Sequence, residues 1–261
     1  MLYEKRVIAF VDILGFETIV NKCNEKTILE ILSIPRSYFI SQPIEKYKNI
    51  QISIFSDSII ISFVYSEKQA VYNLLLDLMN IVIQFVGKGV ICRGYITKGD
   101  VIHNGNELFG PGFIEAYKKE KQMNFPRIGF SDEIYQIGLD YYNKNISQGL
   151  NENLIKSLCI KDEDGLYYID YFSTPVSSVK NVILINRKDY LTDLLNIIIS
   201  GLENNELQII WKYIWMKHKF ENMLDSFIKI SDDLFEIAIK DITKKEIKNM
   251  INLIGKTKNG I

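Results

Sequence analysis

The chain has 261 residues, of which 47% are apolar and 24% charged, with a formal net charge of −1. That is enough chain to bury a core in one domain or two small ones, and the mixture excludes an intrinsically disordered protein. The near-neutral balance supplies no global basic field, so a nucleic-acid polymer is not expected as a partner.

Cys23, Cys92 and Cys159 are odd in number and widely spaced, which predicts free thiols in a reducing compartment. The first residues carry no signal-peptide pattern, and no run of about 18 apolar residues predicts a membrane span. A cytoplasmic protein without membrane attachment is expected.

Residues 7–14 form a nearly continuous β-branched and apolar run closed by Gly15, the pattern of a buried central strand. Residues 16–32 show helical spacing that Pro35 interrupts. Residues 51–55 and 59–63 read as two strands joined by the polar turn Ser56-Asp57-Ser58. Residues 67–85 return to helical spacing, with Asp77 on the polar side. Residues 90–97 predict another strand, followed by a Gly- and Asn-rich loop through Gly99, Gly105 and Gly112. A helix at 114–122, a short strand at 127–130 and a late strand at 167–172 complete this part. From Arg187 onward the spacing is purely helical. The order predicts an α/β (α+β) domain over 1–185, a mainly antiparallel sheet with helices on one face, and a helical extension over 186–261.

Asp12 closes the first apolar run. A carboxylate at the end of a buried strand costs several kcal/mol, roughly, unless something pairs with it, so it is either a turn or ion-pair residue or a ligand. Asp57 sits at the tip of an apolar hairpin, where a plain turn residue is equally at home. The crossover between the two segments allows both carboxylates to reach one sheet end, where a divalent cation would relieve their repulsion. Gly15 and Phe16 follow Asp12 as a strand, turn and helix start, an arrangement that offers backbone N–H groups to an anion. Arg93 lies mid-strand among apolar neighbours, as an edge arginine or a ligand. His103, in a polar loop, and His218, in a lysine-rich helix, are expected to be solvated. Trp211 and Trp215 stand at i and i+4 and face one way. The Asp162-Glu163-Asp164-Gly165 run lacks the later ligands of a calcium loop and predicts a turn.

Phe10-Val11-Asp12-Ile13-Leu14-Gly15-Phe16 resembles the F-x-D-[IL]-x-G-F segment of class III nucleotidyl cyclases, and Phe55-Ser56-Asp57-Ser58 resembles their second metal-binding hairpin. Arg93 to Gly99, Leu108-Phe109-Gly110 and Ala116-Tyr117-Lys118-Lys119-Glu120 are similar to their later strand–loop–helix region. The resemblance spans about residues 5–175. It implies a ferredoxin-like cyclase core, a homodimer with its sites at the interface, and two Mg²⁺ or Mn²⁺ ions held by Asp12, Asp57 and the Ile13 carbonyl over a nucleoside triphosphate. Departures accompany it. Ser53 stands where adenylyl cyclases carry a purine-selecting lysine, Glu107 stands near their base-recognising aspartate, and Ile114 and Lys118 replace an Asn and an Arg. The soluble pyrimidine cyclases of the Pycsar antiphage system resemble the chain more closely. That likeness implies Tyr47 and Arg93 in the base pocket, Lys118 on the triphosphate, and a cyclic product that activates a separate effector. UTP is favoured over CTP, because an arginine donor suits uracil O4. Adenylyl or guanylyl cyclase activity, or a catalytically silent nucleotide sensor, are the alternatives.

Overall fold

A computed structural model describes residues 2–42, 49–65, 69–145, 154–173, 186–233, 235 and 241–257. The chain divides into two compact units, Met1–Tyr171 and Phe172–Ile261. The expected boundary at 185/186 lies at the end of a stretch outside the described residues.

The first unit is a mixed α/β domain. Strand β1 (Glu4–Ile13) is buried from Arg6 onward on both faces apart from half-exposed Asp12, as its unbroken apolar run requires. It pairs antiparallel with β3 (Ser58–Val64) and β4 (Cys92–His103). With β2 (Gln51–Phe55), β5 (Leu108–Phe109), β6 (Ile128–Phe130), β7 (Cys159–Lys161) and β8 (Tyr167–Ile169), the described residues form an eight-stranded sheet of order β2-β3-β1-β4-β6-β8-β7, with β5 paired to β4. Every pairing is antiparallel except β4 with β6.

Two helices replace the single expected one after β1: α1 (Phe16–Lys22) and α2 (Glu25–Ile40). Asn24 separates them, because its side chain accepts from the Thr27 N–H at 2.9 Å and starts a new helix. The second then runs through Pro35. Helix α3 (Ala70–Val86) is buried along nearly its whole length. Asp77, expected on a polar side, is fully buried and accepts from the Tyr38 hydroxyl at 2.8 Å.

Helices occupy both faces of the sheet, not one. Phe39 of α2 meets Phe63 on the face of odd-numbered β1 residues. Helix α4 (Pro111–Gln122) covers the other face, where Ile8, Phe10, Ile60, Val101 and Ala116 form a core with Phe113 and Leu108 against it. Strand β4 runs six residues past its expected end, through Gly99, because pairing with β1 continues to Glu4 opposite Val101. Gly99 suits this close packing: a Cβ there would lie 2.7 Å from Gly112 Cα. Helices α5 (Asp132–Asn145) and α6 (Leu154–Leu158) follow. The 162–165 run is a turn, with Gly165 at φ 84° and with Asp162 and Asp164 both paired to buried Arg127.

The second unit is helical, as expected. Helices α7 (Arg187–Leu202), α8 (Leu207–Lys229) and α9 (Lys244–Gly255) bury Leu194, Ile198, Phe220, Leu224 and Ile247 against one another. A capping box, Thr243 with Glu246, starts α9. Trp215 is buried and meets Phe172 edge-on, whereas Trp211 is half exposed.

Candidate active site

The end of β1 gathers the chemistry. Asp12 lies opposite Ser58 of β3 on one side and Arg93 of β4 on the other. The β2–β3 connection is a two-residue turn, Ser56-Asp57, with Ser56 in the left-handed region at φ 56°, a conformation that favours glycine. The Asp57 carbonyl accepts the Ile13 N–H at 3.0 Å. That bond ties the hairpin tip to the end of β1 and brings Asp57 beside Asp12. Gly94 permits the other side of the arrangement, since a Cβ there would stand 2.6 Å from the Phe10 carbonyl oxygen and hold β4 off β1.

Charge is unbalanced at this end. The Asp12 carboxyl is pushed up to about 6 by burial first, then by Glu120 and Asp57, against opposing pulls from Arg93 and Lys121. Arg93 donates from Nε to Glu120 Oε1 at 2.5 Å and from one terminal nitrogen to the Met123 carbonyl at 3.4 Å. Its other terminal nitrogen stands 3.8 Å from Asp12 Oδ2. The Glu120 side chain is only 1% exposed. In the sequence it is the last residue of the 116–120 run. The signal available was its spacing, because Phe113, Ala116 and Glu120 fall on one helical stripe and place a carboxylate among apolar neighbours.

The structure thus brings together Asp12, Ile13, Asp57 and Arg93. Gly15 turns the chain out of β1 at φ 71°, and half-buried Phe16 begins α1, a seven-residue helix with no buried side chain. Lys118 is exposed, and two residues from Glu120 it lies about 200° around α4 from the face toward Asp12. Lys121, with its ammonium 5.3 Å from the Tyr117 ring, is the helix lysine that acts on Asp12. Tyr47 lies outside the described residues.

His103 corrects its expected solvated position. It ends β4 buried, with Nδ1 2.9 Å from Ser62 Oγ and Nε2 2.9 Å from Ser53 Oγ. Burial and nearby Arg6 lower its pKa to about 4. Arg6 donates from Nε to Ser62 Oγ at 2.8 Å, so the Ser62 hydroxyl links the guanidinium to the imidazole. His218 is exposed, as expected.

Among the described residues no three His, Cys, Asp or Glu side chains group as a metal cluster. The site offers two carboxylates, a donor set that suits Mg²⁺ or Mn²⁺ completed by water and phosphate oxygens, and repulsion at Asp12 that such a cation would relieve. Among the described residues no helix is long and apolar enough to cross a membrane.

No family model and no curated protein matches the sequence. Among solved structures the chain is similar to the adenylyl cyclase CyaB from P. aeruginosa, with TM-score 0.45, 15% identity, and coverage of 69% of this chain and 97% of that one. It is also similar to the guanylyl cyclase domain of the RhoGC fusion protein from the aquatic fungus Blastocladiella emersonii, with TM-score 0.44, 16% identity, and coverage of 65% and 96%. For the guanylate cyclase domain of RhGC from Catenaria anguillulae, in complex with GTP, the TM-score is 0.42, the identity 17%, and the coverage 65% and 97%.

Proposed function

We propose that the chain is a nucleotidyl cyclase that converts a pyrimidine triphosphate, UTP or CTP, to its 3′,5′-cyclic monophosphate and pyrophosphate. The observation that carries this reading is the pair Asp12 and Asp57 at one sheet end, with the Asp12 carboxyl raised first by burial and then by the like charges of Glu120 and Asp57. Asp12, Asp57 and the Ile13 carbonyl would hold two divalent ions, Mg²⁺ or Mn²⁺. When bound, these neutralise the triphosphate oxygens and make the ribose 3′-hydroxyl a better nucleophile. The chain's own part is to hold the two carboxylates in register and to set positive charge, from Arg93 and Lys121, beside them.

The pyrimidine reading is supported by Ser53, whose neutral hydroxyl is held by His103 where a purine-selecting lysine would stand. Tyr47 and Arg93 are proposed to face the base, with Gly15, Phe16 and Lys118 at the triphosphate. A homodimer with sites at its interface is supported by exposed apolar side chains around the hairpin tip and α4: Phe55 is 82% exposed, Ile114 50% and Tyr117 42%. The cyclic product is proposed to act on a separate effector, the antiphage role that the sequence resemblance implies. A silent nucleotide-binding module is the second reading, favoured by the orientation of Lys118 away from Asp12.

The test is incubation with ATP, GTP, CTP and UTP at equal concentrations with Mn²⁺, followed by chromatography. Cyclic UMP or cyclic CMP is expected to dominate. Dominant cyclic AMP or cyclic GMP removes the pyrimidine assignment alone, and Mn²⁺-dependent binding without turnover favours the silent module. No binding and no product sinks the proposal.

A further inference from the structure

We propose that Glu120 is a positioning residue that holds Arg93 off Asp12 and so keeps that carboxylate open to a divalent cation. This rests on the reading of Asp12 and Asp57 as metal ligands.

One guanidinium stands between two carboxylates. Its Nε lies 2.5 Å from Glu120 Oε1, a charge-assisted hydrogen bond, whereas its terminal nitrogen lies 3.8 Å from Asp12 Oδ2, too far for one. Burial decides which carboxylate wins. The Glu120 side chain is 1% exposed, against 21% for Asp12. A buried charge that loses its partner is penalised far more than a half-exposed one, which water still reaches. The Met123 carbonyl, at the end of α4, takes a second guanidinium nitrogen and fixes the plane of the group. Arg93 is therefore tied to α4 on two sides and can lean toward Asp12 without closing on it. Freed from Glu120, the same guanidinium is within a small rotation of a two-pronged pair with Asp12, which would cover both oxygens and cancel the charge that attracts a cation.

The alternative is an ion pair that merely fastens α4 to β4. Mn²⁺ affinity separates the two, measured by titration calorimetry on the full chain without nucleotide. Glu120→Asp keeps the charge and shortens the reach by one methylene. The expected result is Mn²⁺ affinity weakened about tenfold, of the size that groups orienting metal ligands usually carry, and recovered to at least the wild-type value by adding Arg93→Gln. Unchanged Mn²⁺ affinity in Glu120→Asp, whatever its melting temperature, overturns the proposal.

Where Glu120→Asp does not fold, a double-mutant cycle on the isosteric Glu120→Gln serves. Removing Arg93 should improve Mn²⁺ affinity several-fold more in the Glu120→Gln background than in the wild type, and equal gains in both overturn the proposal. A wild type that takes up no Mn²⁺, or an Asp12→Asn variant that binds it equally well, overturns the metal reading and this proposal with it. Binding that is lost in Asp12→Asn but indifferent to Glu120 overturns the positioning role alone.

Discussion

Arg6 and Asp12 stand on one face of the same strand, six residues or about 20 Å apart, and each carries a charge into a largely buried setting. At the Arg6 end the charge is matched. The guanidinium donates to Glu4 at 2.6 Å, to Ser62 Oγ and its carbonyl, and to the Asn49 carbonyl, and the chain of hydroxyls continues through His103 to Ser53. At the Asp12 end three carboxylates, Asp12, Asp57 and Glu120, share a neighbourhood with the Lys121 ammonium and one guanidinium that is already bonded to Glu120. A polar cluster whose donors and acceptors are paired rigidifies a core. One that carries surplus charge of a single sign stores a tendency to bind a counter-ion. The first end is matched in charge, and the second carries more carboxylates than cations.

Breaking the second end should remove function and spare the fold. Asp12→Asn and Asp57→Asn each delete a negative ligand at nearly constant volume, and each is expected to lower Mn²⁺-dependent cyclase turnover by at least about a hundredfold, since ligand removal disables charge neutralisation in the transition state. Without metal, Asp12→Asn should melt at or above the wild-type temperature at pH 7, because an amide does not bear the desolvation and repulsion of the carboxylate. Ordinary turnover in either variant under saturating Mn²⁺ would break the contrast.

Breaking the first end should do the reverse. Arg6→Gln takes the guanidinium donor from Ser62 and from the Asn49 carbonyl in a site where Arg6 is only 3% exposed, and should cost about 3 kcal/mol of stability in urea unfolding. Mn²⁺ affinity at Asp12 should be unaltered at temperatures where the variant remains folded.

The two ends were unequally legible in the sequence. Asp12 stood out because a carboxylate that closes an unbroken apolar run is costly, and the hairpin around Asp57 was legible from its alternation. Their proximity depends on the bond from the Ile13 N–H to the Asp57 carbonyl, a pairing between segments 44 residues apart that no local pattern encodes. The Arg6 end was missed for the same reason. Residues 98–103 carry Lys98, Gly99 and Asp100 and read as loop, yet β1 pairs with them across the sheet and carries His103 into the core. Asp77 was misplaced because its partner Tyr38 comes from another helix. Propensity and periodicity report the face an element offers, and not which polar groups meet it there.

The smallest expected effect is a cancellation in the pH dependence of stability without metal. Asp12 titrates at about 6 in the folded chain and near 3.8 unfolded. Its contribution is therefore fully present below pH 3.8 and is lost as pH rises through 6. His103 titrates at about 4 folded and near 6.5 unfolded. Its contribution is present above pH 6.5 and is lost as pH falls through 4. Each amounts to about 3 kcal/mol at most, and the two slopes oppose each other over nearly the same window. Urea unfolding of the wild type between pH 4 and 6.5 should show only a shallow trend from this pair. Asp12→Asn should unmask the histidine and lose stability toward acid, whereas His103→Gln should unmask the aspartate and gain stability toward acid. Because Asp12 stands at the end of β1 and His103 ends its antiparallel neighbour β4, the two groups lie at opposite ends of the strand pair with no shared partner, and the double variant should return to the shallow profile. Parallel profiles for the wild type and both single variants would show that neither end carries the charge imbalance or the neutral histidine described above.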